Sequence, residues 1–157
     1  DEPFSHIDNF RKNSLRRKLF SYLKEKEITT LIATHDSTDV LSFADEVLVM
    51  KNGEIIEKGT PNSIYNNPKS KYTASLFGDV NEISIDGKTK FVYPNQLRVV
   101  PKSNLKVKTQ KSYYRGSHFL IESKSGNSTI FFNSNCEIEQ NTIIFLEIID
   151  DILNQNH

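Results

Sequence analysis

Asp1 and Glu2 form an acidic pair, followed by Pro3 and a short polar loop, Phe4-Ser5-His6-Ile7-Asp8. Two carboxylates just past the end of a buried strand can equip a nucleotide hydrolase; taken alone, the pair also reads as two solvated surface acids. One can hold Mg²⁺ through its water shell while the other orients and polarises the attacking water. Consecutive residues on an extended chain point to opposite sides, so the two acids can serve different tasks. His35 and Asp36 stand where the next apolar run, residues 28–34, should end. In open α/β sheets ligands gather beyond the carboxyl ends of the strands. Such chemistry needs one strand to deliver the acids and another to deliver the imidazole.

The elements that must position these groups follow from the hydrophobic pattern. Leu15, Leu19, Phe20 and Leu23 recur at helical spacing and predict an amphipathic helix over residues 10–27. Arg11, Lys12, Arg16, Arg17, Lys18 and Lys24 fill its remainder and read as a solvated basic face. Asp8 or Asn9 is placed to cap it. Residues 28–34 are apolar, β-branched and without polar alternation, which predicts a parallel strand buried on both faces. A helix is expected over residues 38–44. Strands follow at 46–50 and 54–57, joined through Lys51-Asn52-Gly53, where the Asn-Gly pair tolerates positive φ. Thr60-Pro61 starts a helix, Thr as cap and Pro at the first position. A further short helix is expected over 72–77.

The character of the chain changes near Gly78, and a domain boundary is placed between Phe77 and Asp79. Short strands and turns succeed one another, at 81–86, 88–93, 97–100, 105–111, 113–123, 129–132 and 142–149. Asp86-Gly87 and Ser125-Gly126-Asn127 mark hairpins. The spacing predicts a small closed or nearly closed antiparallel barrel. The expected layout is thus an α/β portion at residues 1–78, an all-β barrel at 79–152 and a tail at 153–157.

Bulk properties narrow the classes further. The 157 residues suffice for one ordinary domain or two small ones. The net charge is zero, so no global basic field points to nucleic acid or to a membrane surface. Cys136 is the single cysteine; it excludes an internal disulfide and reads as a buried or half-buried thiol. No apolar run approaches the roughly 20 residues of a membrane span. The sequence lacks an initiating Met and starts inside what reads as a motif, so a piece of a longer protein is expected.

In order and spacing these pieces resemble the second half of an ABC transporter ATPase subunit. Asp1-Glu2-Pro3 is similar to the end of the Walker B motif followed by the catalytic glutamate. Ser5-His6-Ile7-Asp8 resembles the D-loop, and Ala33-Thr34-His35-Asp36 the switch-histidine motif. Phe43-Ala44-Asp45-Glu46-Val47, Met50-Lys51-Asn52-Gly53, Glu57-Lys58-Gly59-Thr60-Pro61 and the stretch from Ile64-Tyr65 to Pro68 resemble the closing segments of that domain. The resemblance implies a partial P-loop NTPase domain of the ABC type, followed by an oligonucleotide-fold-like (OB-like) barrel, the transport-associated domain. Val92-Tyr93-Pro94 with Leu97, and Tyr114-Arg115-Gly116, are similar to recurring marks of that barrel, though Tyr93 stands where many members have Arg.

The resemblance also implies roles. Asp1 would bind Mg²⁺ through water and Glu2 would act as general base or orient the water. His35 would donate to the γ-phosphate of ATP, and Ser5 and Asp8 would face a second ATPase subunit. The implied parent is an ATP-hydrolysing importer subunit on the cytoplasmic face of a membrane, in a bacterium the inner one. It would work as a homodimer with permease subunits and, indirectly, a substrate-binding protein. No G-x-x-x-x-G-K-S/T phosphate loop occurs, so these residues alone are expected neither to bind ATP tightly nor to hydrolyse it. A different reading makes the barrel a binding module for a regulatory ligand or single-stranded nucleic acid. Lys88, Lys90, Arg98, Lys102, Lys106, Lys108, Lys111 and Arg115 lie in an acid-free interval with Tyr93, Tyr113 and Tyr114. Acids from Glu137 onward can balance that charge, so no nucleic-acid partner is expected.

Overall fold

The computed structural model describes residue 4 and residues 7–85 and 87–149. The chain forms two compact units, Asp1–Asn67 and Pro68–His157.

In the first unit, α1 (Asn9–Glu25) ends where Glu27 takes a left-handed φ of 52° and the Ile28 N–H reaches back to the Leu23 carbonyl at 2.9 Å. α2 (Ser37–Phe43) follows, then the hairpin of β1 (Val47–Lys51) and β2 (Glu54–Gly59), then α3 (Pro61–Asn66). The hairpin turns on Asn52 and Gly53, both at positive φ, as their types require. Thr60 caps α3 by accepting from the Ser63 N–H at 3.2 Å, with Pro61 at the first helical position. Phe20 of α1 stacks on Phe43 of α2 with ring centroids 4.4 Å apart, and Phe4 lies 6.1 Å from Phe20.

Two expectations fail in this unit. Residues 28–34 form no strand: they pair with nothing among the described residues, and Leu31 is 88% exposed. An apolar β-branched run becomes a strand only where a ladder partner satisfies its backbone, and the one sheet among the described residues of this unit is the antiparallel β1–β2 pair. The parallel sheet predicted for this portion is therefore absent from the described residues. The helix burial also departs from the predicted face: Leu15 is exposed and Arg16 buried.

The second unit opens with α4 (Lys71–Ser75), capped by the Ser70 hydroxyl. Seven strands follow: β3 (Asn81–Ile85), β4 (Lys88–Val92), β5 (Leu97–Val100), β6 (Leu105–Tyr114), β7 (Phe119–Ser125), β8 (Ser128–Ser134) and β9 (Ile143–Ile148). β5-β9-β6-β7-β8 make one antiparallel sheet in that order, and β3–β4 stand as a separate hairpin. The core gathers Ile83, Val92, Leu97, Val107, Ile121, Ile130, Phe132 and Leu146. Each such side chain contributes about 1.5–3 kcal/mol on burial.

The predicted closed barrel is not formed among the described residues, where β5 and β8 end the ladder without pairing to each other. On the outer edge of β8 the amide of Asn81 takes the place of a strand. It accepts from the Phe131 N–H at 2.8 Å and donates to the Phe131 carbonyl at 2.7 Å. The strand expected over residues 113–123 is likewise split. Tyr114 closes β6, the Arg115 N–H bonds to the His118 carbonyl at 2.9 Å, and Gly116 takes φ 89° in the turn. Cys136 is exposed, not buried, because it follows β8 in a turn held by the Ser134 hydroxyl.

Candidate functional site

The segment Ala33-Thr34-His35-Asp36 is held by side-chain bonds, although it belongs to no strand. Asp36 caps α2, accepting from the Thr38 N–H at 3.0 Å. Its own N–H donates to the Thr34 hydroxyl at 3.0 Å, and that hydroxyl donates to the Asp39 carboxylate at 3.1 Å. Both chain neighbours of His35 are thus tied to α2, and the imidazole stands exposed between them.

A basic pair on α1 locks this turn. The Arg16 guanidinium donates to the Asp36 carboxylate, and its Nε approaches Asp39 Oδ1 at 2.5 Å as an ion pair without hydrogen-bond alignment. Lys12 Nζ adds a bond to Asp36 at 3.1 Å. Partial burial opposes ionisation of Asp36, but bonds from Arg16, Lys12 and the Thr38 N–H outweigh it and hold the carboxyl well below the usual range. Arg16 is 4% exposed and also lies over the Phe4 ring, 5.5 Å from its centroid.

Sequence reasoning misses these residues: it puts Lys12 and Arg16 on a solvated face and gives Asp39 no task. The legible signal is the four-residue step from Lys12 through Arg16 to Phe20, which puts two cations and an aromatic on one stripe.

Asp8 sits at the N-cap of α1 but its carboxylate makes no capping bond; only its carbonyl accepts, from the Arg11 and Lys12 N–H groups at 2.9 Å each. Asp8 is exposed. Asp1, Glu2, Ser5 and His6 lie outside the described residues. Among the described residues no group of three or more His, Cys, Asp or Glu side chains could hold a metal, and no helix is long and apolar enough to cross a membrane.

In the second unit the acid-free interval is interleaved with partners. Arg98 forks onto Glu147 at 2.8 and 3.0 Å across β5 and β9, and Arg115 reaches Asp79 at 3.9 Å. Lys111 lies 5.0 Å from the Tyr113 ring centroid, and the Tyr113 hydroxyl donates to Glu122 at 2.8 Å. That bond to a carboxylate raises the phenol's pKa. Tyr93 is buried and donates to the Ala74 carbonyl at 3.1 Å, a structural task.

No family model matches the chain. Individual relatives do. A sulfate/thiosulfate import ATP-binding protein of Mesostigma viride is 33% identical over 130 residues, 82% of this chain and 36% of the relative. An Fe(3+) ions import ATP-binding protein of Photorhabdus laumondii is 34% identical over 110 residues, 70% of this chain and 31% of the relative. Its counterpart in Escherichia coli K12 is 40% identical over 81 residues, 52% of this chain and 23% of the relative. The chain is thus a homologue of import ATP-binding proteins. More narrowly, its relatives are the ATP-binding subunits of ABC importers, and it spans about a third or less of their length.

Proposed function

We propose that the chain carries the trailing part of the nucleotide-binding domain of an ATP-driven importer subunit, with His35 presented to the terminal phosphate of ATP. The observation that carries this reading is the exposed imidazole on a turn fixed from both sides by Asp36 and Asp39. An imidazole carried on a fixed turn can donate to a phosphate oxygen with less of the backbone left to order, and preorganised donors are where electrostatic stabilisation is largest. Bound Mg-ATP would supply the scissile phosphoanhydride and the cation that offsets its charge. Asp1 would hold the hydrated Mg²⁺ and Glu2 would orient the attacking water or accept its proton. Asp8, exposed and unused as a cap, would face a second ATP-binding subunit together with Ser5. The second unit would serve as the transport-associated domain, in the form of an open sheet with a hairpin. Permease subunits, a substrate-binding protein and a place at the cytoplasmic membrane face complete the proposal.

The test is ATP turnover by the full-length subunit with His35→Ala. The expected result is a fall in kcat of about 10²–10³-fold with a smaller change in KM. Turnover at the parent rate would reject the role of His35.

A further inference from the structure

We infer that Arg16 is a positioning residue that fixes the spacing between the Phe4 segment and the His35 turn; this rests on the phosphate-site reading above. Phe4 follows Glu2 by two positions in the sequence, and its buried ring lies under the Arg16 guanidinium. From the same guanidinium, contacts run to Asp36, which adjoins His35, and to Asp39, which holds Thr34 on the other side of His35. One cation therefore touches both the segment just after the acidic pair and the two anchors of the imidazole. Asn13 Oδ1 accepts from a further Arg16 nitrogen at 3.3 Å, which orients the fork along α1.

A buried cation is expensive, and a pair of well-packed apolar residues would hold α1 on α2 at least as well. What the ion pair adds is direction. A planar guanidinium can fork between two carboxylates and lie on a ring at the same time, and an ammonium cannot. Arg16→Lys should therefore keep the charge and lose the geometry. The Phe20–Phe43 stack is independent of Arg16 and should keep α1 on α2 in that variant.

The first measurement is amide hydrogen exchange in the chain with Arg16→Lys. The Asp39 and Val40 amides, bonded to the Asp36 carbonyl at 3.0 and 3.4 Å, should exchange about tenfold faster or more, while the Phe131 amide in the second unit keeps its rate. Unchanged exchange at Asp39 and Val40 would overturn the inference. The second measurement is turnover in the full-length subunit. Arg16→Lys should lower kcat by about 10²-fold with KM for Mg-ATP nearly unchanged, the mark of a misplaced group. Arg16→Met combined with Asp39→Asn removes buried charge from both sides, so it keeps the fold yet stays slow. Parent-like kcat in that folded double variant would also overturn the inference. If His35→Ala leaves turnover intact, the phosphate-site reading fails instead, and the exchange rates alone decide whether Arg16 holds the turn.

Discussion

Asp36 carries three loads at once: it caps α2, receives Arg16 and Lys12, and adjoins His35. Its pKa is held below the ordinary 3.8, so the folded state keeps the charge where the unfolded chain takes up a proton. Stability from this group is therefore full above about pH 4 and is lost as the pH falls further toward its folded-state value. Urea unfolding of the first unit should show a midpoint that drops below about pH 4. Asp36→Asn should be less stable at neutral pH, because it strands part of the Arg16 charge, and should show a shallower acid decline. An equally steep decline in Asp36→Asn would assign the acid sensitivity to other carboxylates.

At the scale of elements, the edge of β8 rests on one side chain. Asn81 is 1% exposed, and its amide satisfies both the N–H and the carbonyl of Phe131. Asn81→Leu would keep the volume and leave two backbone groups unmatched. Its expected cost is about 2–3 kcal/mol in denaturant unfolding of the second unit, since each buried unsatisfied group costs on the order of 1–3 kcal/mol. Asn81→Asp should be no better, because a carboxylate accepts from the N–H but repels the carbonyl. A loss below about 0.5 kcal/mol for Asn81→Leu would mean that water or a neighbouring strand takes over the edge. Buried hydroxyls act in the same way along β6. Thr109 accepts from the Thr142 N–H at 2.9 Å and donates to the Glu139 carbonyl at 2.6 Å, where the β6–β7 register shifts.

For the molecule as a whole, the sequence contains no glycine-lysine phosphate loop, and weak binding of a triphosphate is the expectation to test. Isothermal titration of the chain with Mg-ATP should give no binding in the micromolar range, and no phosphate release should follow on incubation. A micromolar dissociation constant would place a phosphate-binding surface within these 157 residues and overturn the expectation that they do not bind ATP tightly by themselves. In the first unit Ile28, Leu31, Leu41, Leu48, Met50 and Ile55 are exposed.

Local rules decided much of this protein before any fold was known. Asn52-Gly53 made its hairpin, Thr60-Pro61 started its helix and Gly126 turned β7 into β8, because each depends only on the φ a residue tolerates or the N–H it lacks. The family resemblance was legible for the same reason, since it rests on short strings whose order does not depend on packing. What needed the third dimension was partnership. Among the described residues, residues 28–34 have the composition of a strand and no ladder to join, and the β strands have the spacing of a barrel whose ends stay unpaired. Arg16 looks like five other cations of its helix until Phe4, Asp36 and Asp39 are seen around it. Hydrogen-bond and charge complementarity are properties of pairs distant in sequence, and a single strand of letters records only one member of each pair at a time.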